Sequence, residues 1–234
     1  MNRYSIITDK NPREIVLLRG SGCRWRRCTF CDYHTDSSPD EAANFALNRT
    51  VLEQITGEYG RLEVINSGSF VDLDGCTVDL LTQICQRRSI HTLHIECHWM
   101  HRDALAPFRE RFAAVGTDVI FKIGVETFDA DFRERILRKG IGRISAAEIA
   151  AAGFGEVNLL CGLAGQTAAS MTADIECGLA HFSRVCVNLM VENTTPIKPD
   201  PEAVRAFLEE VVPRYKDDLR VDILVENTDF GVGE

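Results

Sequence analysis

The sequence predicts an α/β fold built from repeated βα units. Apolar, β-branched runs recur at Ile15-Leu18, Leu62-Ile65, Leu93-Ile95, Val119-Val125, Val157-Leu160, Val185-Val191 and Val221-Val225. Such short continuous runs are the signature of parallel strands buried on both faces. Between them the periodicity changes to that of amphipathic helices, at about residues 40-59, 77-88, 101-114, 129-138, 167-182 and 201-216. The third observation is length. A chain of 234 residues that is 45% hydrophobic can bury a full core as a single α/β domain. Six βα units and a late strand build either a doubly wound sheet or a barrel, and periodicity alone does not choose between them.

Charge and composition narrow the function classes. The 26 Lys and Arg against 35 Asp and Glu leave a formal charge of -9, which opposes the counterion-release attraction of a nucleic-acid backbone. Direct binding to a polynucleotide such as tRNA is therefore disfavoured. Residues 1-13 are polar and lack the apolar run of a signal peptide, and no stretch approaches membrane-spanning length. A cytoplasmic protein without membrane association is expected. In a reducing compartment nine cysteines are metal ligands or small buried hydrophobes rather than disulfides. Cys76, Cys85, Cys97, Cys161, Cys177 and Cys186 are scattered singly, whereas Cys23, Cys28 and Cys31 are crowded together.

That crowded segment follows the first expected strand and reads Gly20-Ser21-Gly22-Cys23-Arg24-Trp25-Arg26-Arg27-Cys28-Thr29-Phe30-Cys31-Asp32-Tyr33-His34, a C-x4-C-x2-C spacing. Three thiolates are one ligand short of four. A structural zinc site would need a fourth partner, which His34 could supply; an iron-sulfur cubane on three cysteines would leave one iron open to an outside ligand. Plain burial of the three is the remaining alternative. The flanking glycines allow close backbone approach to a bulky group.

The segment resembles the signature of the radical S-adenosylmethionine (SAM) superfamily, including the aromatic Phe30 directly before the last cysteine. The usual spacing is C-x3-C-x2-C, so the extra residue between Cys23 and Cys28 is a departure. Further matches follow in the expected order. Ser67, Gly68 and Ser69 stand where such enzymes carry a Gly-Gly-Glu-like stretch whose backbone binds the SAM amino group. Ile123-Gly124-Val125-Glu126-Thr127 resembles the segment whose acidic residue holds the SAM ribose, and Cys161-Gly162-Leu163-Ala164-Gly165-Gln166-Thr167 resembles a GLPGQT-like stretch near the adenine. Each has a plainer alternative. Ser-Gly-Ser is a common turn, Glu126 could cap a helix starting near Asp129, and Gly162 with Gly165 could be a tight connection.

The resemblance implies a single core domain over residues 1-234, a partial (β/α)6 TIM-like barrel of the radical SAM type. It also implies a 4Fe-4S cluster on Cys23, Cys28 and Cys31, with SAM as cofactor and a 5'-deoxyadenosyl radical as the agent of catalysis. The cofactor-binding residues are then Phe30, Ser67, Gly68, Ser69, Glu126, Gly162 and Leu163. An electron donor such as flavodoxin or ferredoxin is the implied partner. Polar residues at strand ends become candidate substrate contacts: Asp72, Glu96, His98, Glu192, Asn193, Glu226, Asn227 and Asp229. Glu96 and His98 have the same parity and are expected to act together in catalysis; the plainer alternative is a satisfied hydrogen-bonded pair. Glu192, Asn193 and Asp229 are expected to bind substrate, because Glu-Asn-Thr recurs at the ends of two late strands.

Within the superfamily the compact length, the C-x4-C-x2-C spacing, the Cys31-Asp32-Tyr33-His34 continuation and the ending Glu226-Asn227-Thr228-Asp229-Phe230-Gly231 most resemble the queuine lyases. That resemblance implies a small nucleobase substrate, cleavage of the free queuine base to 7-aminomethyl-7-deazaguanine, and a place in queuosine salvage. Two alternatives stay open. One is a radical SAM enzyme acting on another base or an amino acid, and the other is a zinc or iron-sulfur binding protein without turnover.

Overall fold

The computed structural model describes residues 2–225. The chain forms two compact units: one is the chain up to Arg26 with Tyr33–Lys122, the other Arg27–Asp32 with the chain from Ile123 on.

The first unit holds β1 (Tyr4–Ile7), β2 (Arg13–Leu18), α1 (Glu41–Leu52), β3 (Arg61–Asn66), α2 (Gly75–Arg87), β4 (Thr92–Glu96), α3 (Leu105–Ala113) and the first part of β5 (Asp118–Glu126). Its strands lie in chain order. β1 is antiparallel to β2, and β2 to β5 are parallel. The second unit holds the end of β5, α4 (Ala146–Ala151), β6 (Phe154–Cys161), α5 (Ala168–His181), β7 (Arg184–Leu189), α6 (Pro201–Ala206), α7 (Val212–Tyr215) and β8 (Val221–Leu224). β6, β7 and β8 are parallel and adjacent in that order.

The strands form where both faces of the sheet can be buried. One face is apolar: Val16, Leu18, Leu62, Val64, Leu93, Ile95 and Phe121 are fully buried. Residues of the other parity include Arg13, Glu63, His94 and Lys122, polar yet also buried. Helix starts follow from capping side chains. Asp40 Oδ1 accepts from Ala43 N at 3.0 Å, Asp74 Oδ1 from Thr77 N at 2.8 Å, and Asp200 Oδ1 from Ala203 N at 2.9 Å. Among the described residues no helix is long and apolar enough to cross a membrane.

All seven expected strands are present, and the differences lie elsewhere. β1 is an additional short edge strand. The helix expected at 40-59 ends at Leu52, and that expected at 129-138 is only a π-helical turn, Phe132–Ile136. The stretch expected as a helix at 101-114 begins as a 3-10 turn, Trp99–Ala104. α4 adds a helix of six residues, a length too short to give a periodic signal.

β1 is anchored through Glu14, which is fully buried. The Glu14 carboxylate accepts from Tyr4 OH at 2.7 Å, Thr56 N at 2.7 Å, Thr56 Oγ1 at 3.1 Å and Gly57 N at 2.7 Å. Burial, reinforced by this carboxylate, pushes the Tyr4 hydroxyl pKa upward. Removing the acceptor leaves several part-buried donors without it at once, so Glu14→Ala lowers the unfolding free energy by about 3 kcal/mol in urea denaturation, against about 1 kcal/mol for Tyr4→Phe.

Candidate active site

In the first unit the chain leaving β2 carries Cys23, and short contacts lock its path. Ser21 N donates to Asp72 O at 2.9 Å, and Cys23 N donates to Ser67 O at 3.2 Å. Gly68 is required here by close approach: a Cβ at this position would lie 2.4 Å from Asp72 Oδ2 and 3.0 Å from Cys23 N. Ser67 Oγ donates to Asp36 O at 2.6 Å, and Ser69 N donates to Asp72 Oδ2 at 2.8 Å. Ser69 Oγ accepts from His98 N at 2.9 Å. The Ser67-Gly68-Ser69 segment is thus a turn, and also the surface on which the Cys23 loop rests. Two acceptors beside it, Asn66 Oδ1 and Asp72 Oδ1, are buried without a hydrogen-bond partner. Burial raises the Asp72 pKa, although the Ser69 N–H and nearby cationic groups oppose the shift.

Glu96 ends β4 half-buried, opposite Lys122 in the β5 register. His98 lies two residues on, with Cys97 buried between them. His98 Nδ1 accepts from Met100 N at 3.2 Å, and its ring stacks on Trp25 with centroids 5.8 Å apart. One ring nitrogen of the expected catalytic histidine is therefore engaged in opening the 3-10 turn that follows.

In the second unit the Cys28–Cys31 turn is held from two directions. Thr29 N donates to Leu137 O at 3.1 Å and Thr29 Oγ1 to Ile136 O at 2.6 Å. From the loop after β7, Asn193 Nδ2 donates to Phe30 O at 2.7 Å, while Asp32 Oδ2 accepts from Thr194 N at 3.0 Å and Thr194 Oγ1 at 2.9 Å. Asn193 Oδ1 accepts from Thr195 N at 3.0 Å. The side chain expected to bind substrate is therefore a clasp on the cysteine turn. Glu192 is exposed, with its carboxylate 3.3 Å from Lys198 Nζ. Glu226, Asn227 and Asp229 lie outside the described residues.

Glu126 ends β5 with φ +69, a left-handed backbone unusual for glutamate, and is 7% exposed. It does not cap the next turn: Asp129 Oδ1 accepts from Phe132 N at 3.0 Å, and Asp174 Oδ1 from Phe128 N at 2.7 Å. Its Oε1 instead accepts from Lys139 Nζ at 2.7 Å. Gly124 leaves room for this pair, since a Cβ there would lie 2.5 Å from Glu126 Oε1 and 2.8 Å from Lys139 Nζ. Lys139 Nζ is also 5.7 Å from the Phe30 ring centroid. Burial works to lower the Lys139 pKa, but Glu126 and, further out, the Cys28 and Cys31 sulfurs hold it above the ordinary lysine value. Lys139 was not singled out in the sequence; the only signal was a basic pair, Arg138-Lys139, before a glycine turn.

Gly162 has φ +87 at the end of β6. Leu163 N then donates to Gln166 Oε1 at 2.9 Å. Leu163 packs with Leu137, Leu160 and Met190 into a buried cluster against which Phe30, Phe132 and Ile197 lie. Beside it is a cavity of about 390 Å³, lined by residues that include Phe132, Leu137, Leu163, Ala164, Ile197 and Asp200. Phe30 and Leu163 therefore share one apolar surface.

The cysteines divide by environment. Cys23, Cys28 and Cys31 are in no disulfide and partly exposed, whereas Cys85, Cys97, Cys161 and Cys186 are buried. Burial pushes the Cys85 and Cys97 thiols up to about 12, and the Cys161 thiol upward as well. Those buried thiols stay protonated, which suits packing and not ligation. His34, the alternative fourth ligand for zinc, is exposed in the 3-10 turn Tyr33–Thr35.

No family model matches the chain, and no curated protein does. Among solved structures, queuine lyase from Clostridium spiroforme bound to SAM and queuine superposes with a TM-score of 0.93 at 38% identity, covering 100% of both chains. The chain belongs to the queuine lyase family. It is accordingly a radical SAM enzyme, and its α/β fold is the partial-barrel class expected from the sequence. Streptococcus suis SuiB shares that fold alone. Bound to S-adenosylmethionine it matches with a TM-score of 0.50 at 11% identity over 89% of this chain and 49% of its own. A second SuiB structure matches at 0.50 and 12% identity, over 88% and 48%.

Lys139 and Glu126 are both largely buried, so losing one partner leaves the other charge uncompensated. Lys139→Met lowers the unfolding free energy by about 3 kcal/mol, and adding Glu126→Gln recovers most of it; chemical denaturation of the two variants measures both.

Proposed function

We propose that this member of the queuine lyase family cleaves the free queuine base and releases 7-aminomethyl-7-deazaguanine for queuosine salvage. The observation that carries the reading is the full-length match at 38% identity to a queuine lyase bound to SAM and queuine. This chain's own residues fit the cofactors. Three partly exposed cysteines stand within nine residues, Cys23 to Cys31, which is the donor set for a cluster with one open iron. The chemistry supplied by a 4Fe-4S cluster and SAM bound there is one-electron cleavage of the sulfonium and hydrogen abstraction from the substrate.

The protein's part is orientation and the exclusion of side reactions. Ser67, Gly68 and Ser69 support the Cys23 loop, and the buried Asn66 Oδ1 and Asp72 Oδ1, the latter 3.5 Å from Arg24 Nε, offer acceptors for an ammonium group. Glu126 presents a carboxylate to the ribose hydroxyls, with Lys139 fixing its direction. Phe30, Gly162 and Leu163 give the adenine a flat apolar surface. Asn193 and Thr194 hold the Cys28–Cys31 turn in place. Glu96 and His98 are assigned to the reacting part of the substrate, and Glu192 and Asp229 to its polar rim. One catalytic core domain acts in the cytoplasm with an electron donor of the flavodoxin or ferredoxin class and takes the free base rather than tRNA.

Anaerobic incubation with SAM, reductant and queuine, followed by mass spectrometry, tests the assignment. The expected products are 5'-deoxyadenosine and 7-aminomethyl-7-deazaguanine. A colourless zinc protein would sink the radical reading, and SAM cleavage without any effect of queuine would sink only the substrate. Cys23→Ala, Cys28→Ala and Cys31→Ala each abolish the cluster's visible absorption. Glu126→Ala keeps that absorption and weakens SAM binding at least tenfold in equilibrium titration, the effect of one charge-assisted hydrogen bond worth about 1.5 kcal/mol or more.

A further inference from the structure

A basic and aromatic surface of the first unit starts at Cys23, whose carbonyl accepts from Arg26 Nε. We propose that Arg24, Trp25, Arg26, Trp99, Met100 and Arg102 form the docking surface for an acidic one-electron carrier protein. The inference rests on the radical reading of the cysteine loop and assigns the place where its electron enters.

Charge is the first ground. The chain carries a formal -9, yet from Ile15 to Cys31 it has four arginines and no acidic residue. If these arginines served only to offset charge on the cysteine sulfurs, their guanidinium groups would be turned inward. Instead the Arg24 side chain is 63% exposed, with Nε 3.5 Å from the buried Asp72 Oδ1, and Arg26 is exposed. Arg26 is also fixed against the loop: Nε donates to Cys23 O at 3.0 Å and Nη2 to Ser21 O at 3.3 Å. A guanidinium held on the backbone of a candidate cluster ligand brings a docked partner close to that ligand.

Continuity is the second ground. Trp25 stacks on His98, which opens the Trp99–Ala104 turn. On that turn Arg102 lies 5.0 Å from the Trp99 ring centroid, and Met100 is 42% exposed. Two strand-end segments thus present one surface of Arg, Trp and Met, the residue types enriched at protein interfaces. The acidic Asp103 stands at its edge, 3.8 Å from Arg102 Nε.

The occupant follows from chemistry. A cation-rich patch on an acidic chain steers an acidic partner into one orientation. A polynucleotide would meet the repulsion of the whole acidic molecule beyond the patch, whereas a small carrier needs only the patch. The contact is of the small, transient kind used in electron transfer. One electron leaves the carrier's reduced centre and one arrives on the cluster, with no bond made or broken.

The test uses the cluster-loaded enzyme and a reduced acidic ferredoxin or flavodoxin, following cluster reduction by stopped-flow absorbance. Arg102→Glu, and Arg102→Glu combined with Met100→Glu, each raise the half-saturating carrier concentration about fivefold or more, by loss of electrostatic steering. Reduction by dithionite and SAM binding remain unchanged in both. In the wild type the carrier-dependent rate falls steeply between about 50 and 500 mM salt as the charges are screened. Equal carrier-dependent rates in variants and wild type at low salt overturn the proposal, as does a rate insensitive to salt. Protection of the patch by tRNA, with carrier reduction unaffected by the substitutions, also overturns it in favour of a nucleic-acid surface. Failure of dithionite to support SAM cleavage in the wild type would instead overturn the radical reading beneath it.

Discussion

A charge buried under a parallel sheet has no water to turn to, and that constraint organises the polar face of both units. An isolated buried ion costs several kcal/mol even after relaxation, so each must be paired. In the first unit Glu63 of β3 is gripped by Arg13 of β2 and Lys122 of β5. In the second, Arg184 of β7 lies 2.9 Å from Glu156 of β6 and 3.0 Å from Asp222 of β8. The second triad ties three neighbouring strands side by side, and the first also reaches from β3 across β4 to β5. Apolar residues of the same volume would give equal or greater stability. What the triads preserve is charge compensation on a face that the parallel fold also buries.

The opposite, apolar face explains how much of the fold was legible. Val16, Val64, Ile95 and Phe121 sit in register on strands whose every second residue is fully buried, and this makes the strands visible as runs. β1 was invisible for the converse reason. It is four residues long, antiparallel, at the sheet edge, and only partly buried, so neither length nor hydrophobicity marks it. The π-helical turn at Phe132–Ile136 is ordered largely by Arg133, whose guanidinium donates to Thr127 O at 3.1 Å, Gly142 O at 2.6 Å and Ile144 O at 3.3 Å. A fully buried arginine binding three carbonyls cannot be inferred from periodicity, because periodicity assigns arginine to the solvent side.

The candidate site was legible in its ligands and obscure in its supports. Three crowded cysteines stand out against six scattered ones, and burial accounts for four of those six. The residues that hold the loop come from far along the chain: Thr29 is separated from Ile136 by 107 positions and Asn193 from Phe30 by 163. Asparagine at a strand end offers the same letter whether its amide faces a substrate or a neighbouring carbonyl. Only the partner distinguishes the two, and for Asn193 the partner is the cysteine turn. The same holds for His98, whose Nδ1 is engaged by the backbone while its ring packs on Trp25.

Glu126 shows how a strained residue identifies its own importance. A left-handed conformation costs a non-glycine residue about 1–3 kcal/mol and persists only where its surroundings over-determine it. Here they do. Gly124 clears the space, Lys139 holds the carboxylate, and Asp129 and Asp174 take the backbone amides that Glu126 would serve as a helix cap. A helix cap needs an extended backbone with its oxygen directed at the next turn. The left-handed backbone takes the carboxylate away from that turn and onto the buried Lys139. The chain therefore accepts a strain energy to keep one acidic group in a fixed direction at a strand end. The ion pair offsets that strain, because releasing Glu126 to an ordinary conformation would leave a buried lysine unpaired. A pre-aimed carboxylate needs no rearrangement when its ligand arrives, which is the physical advantage that makes such a conformation worth retaining.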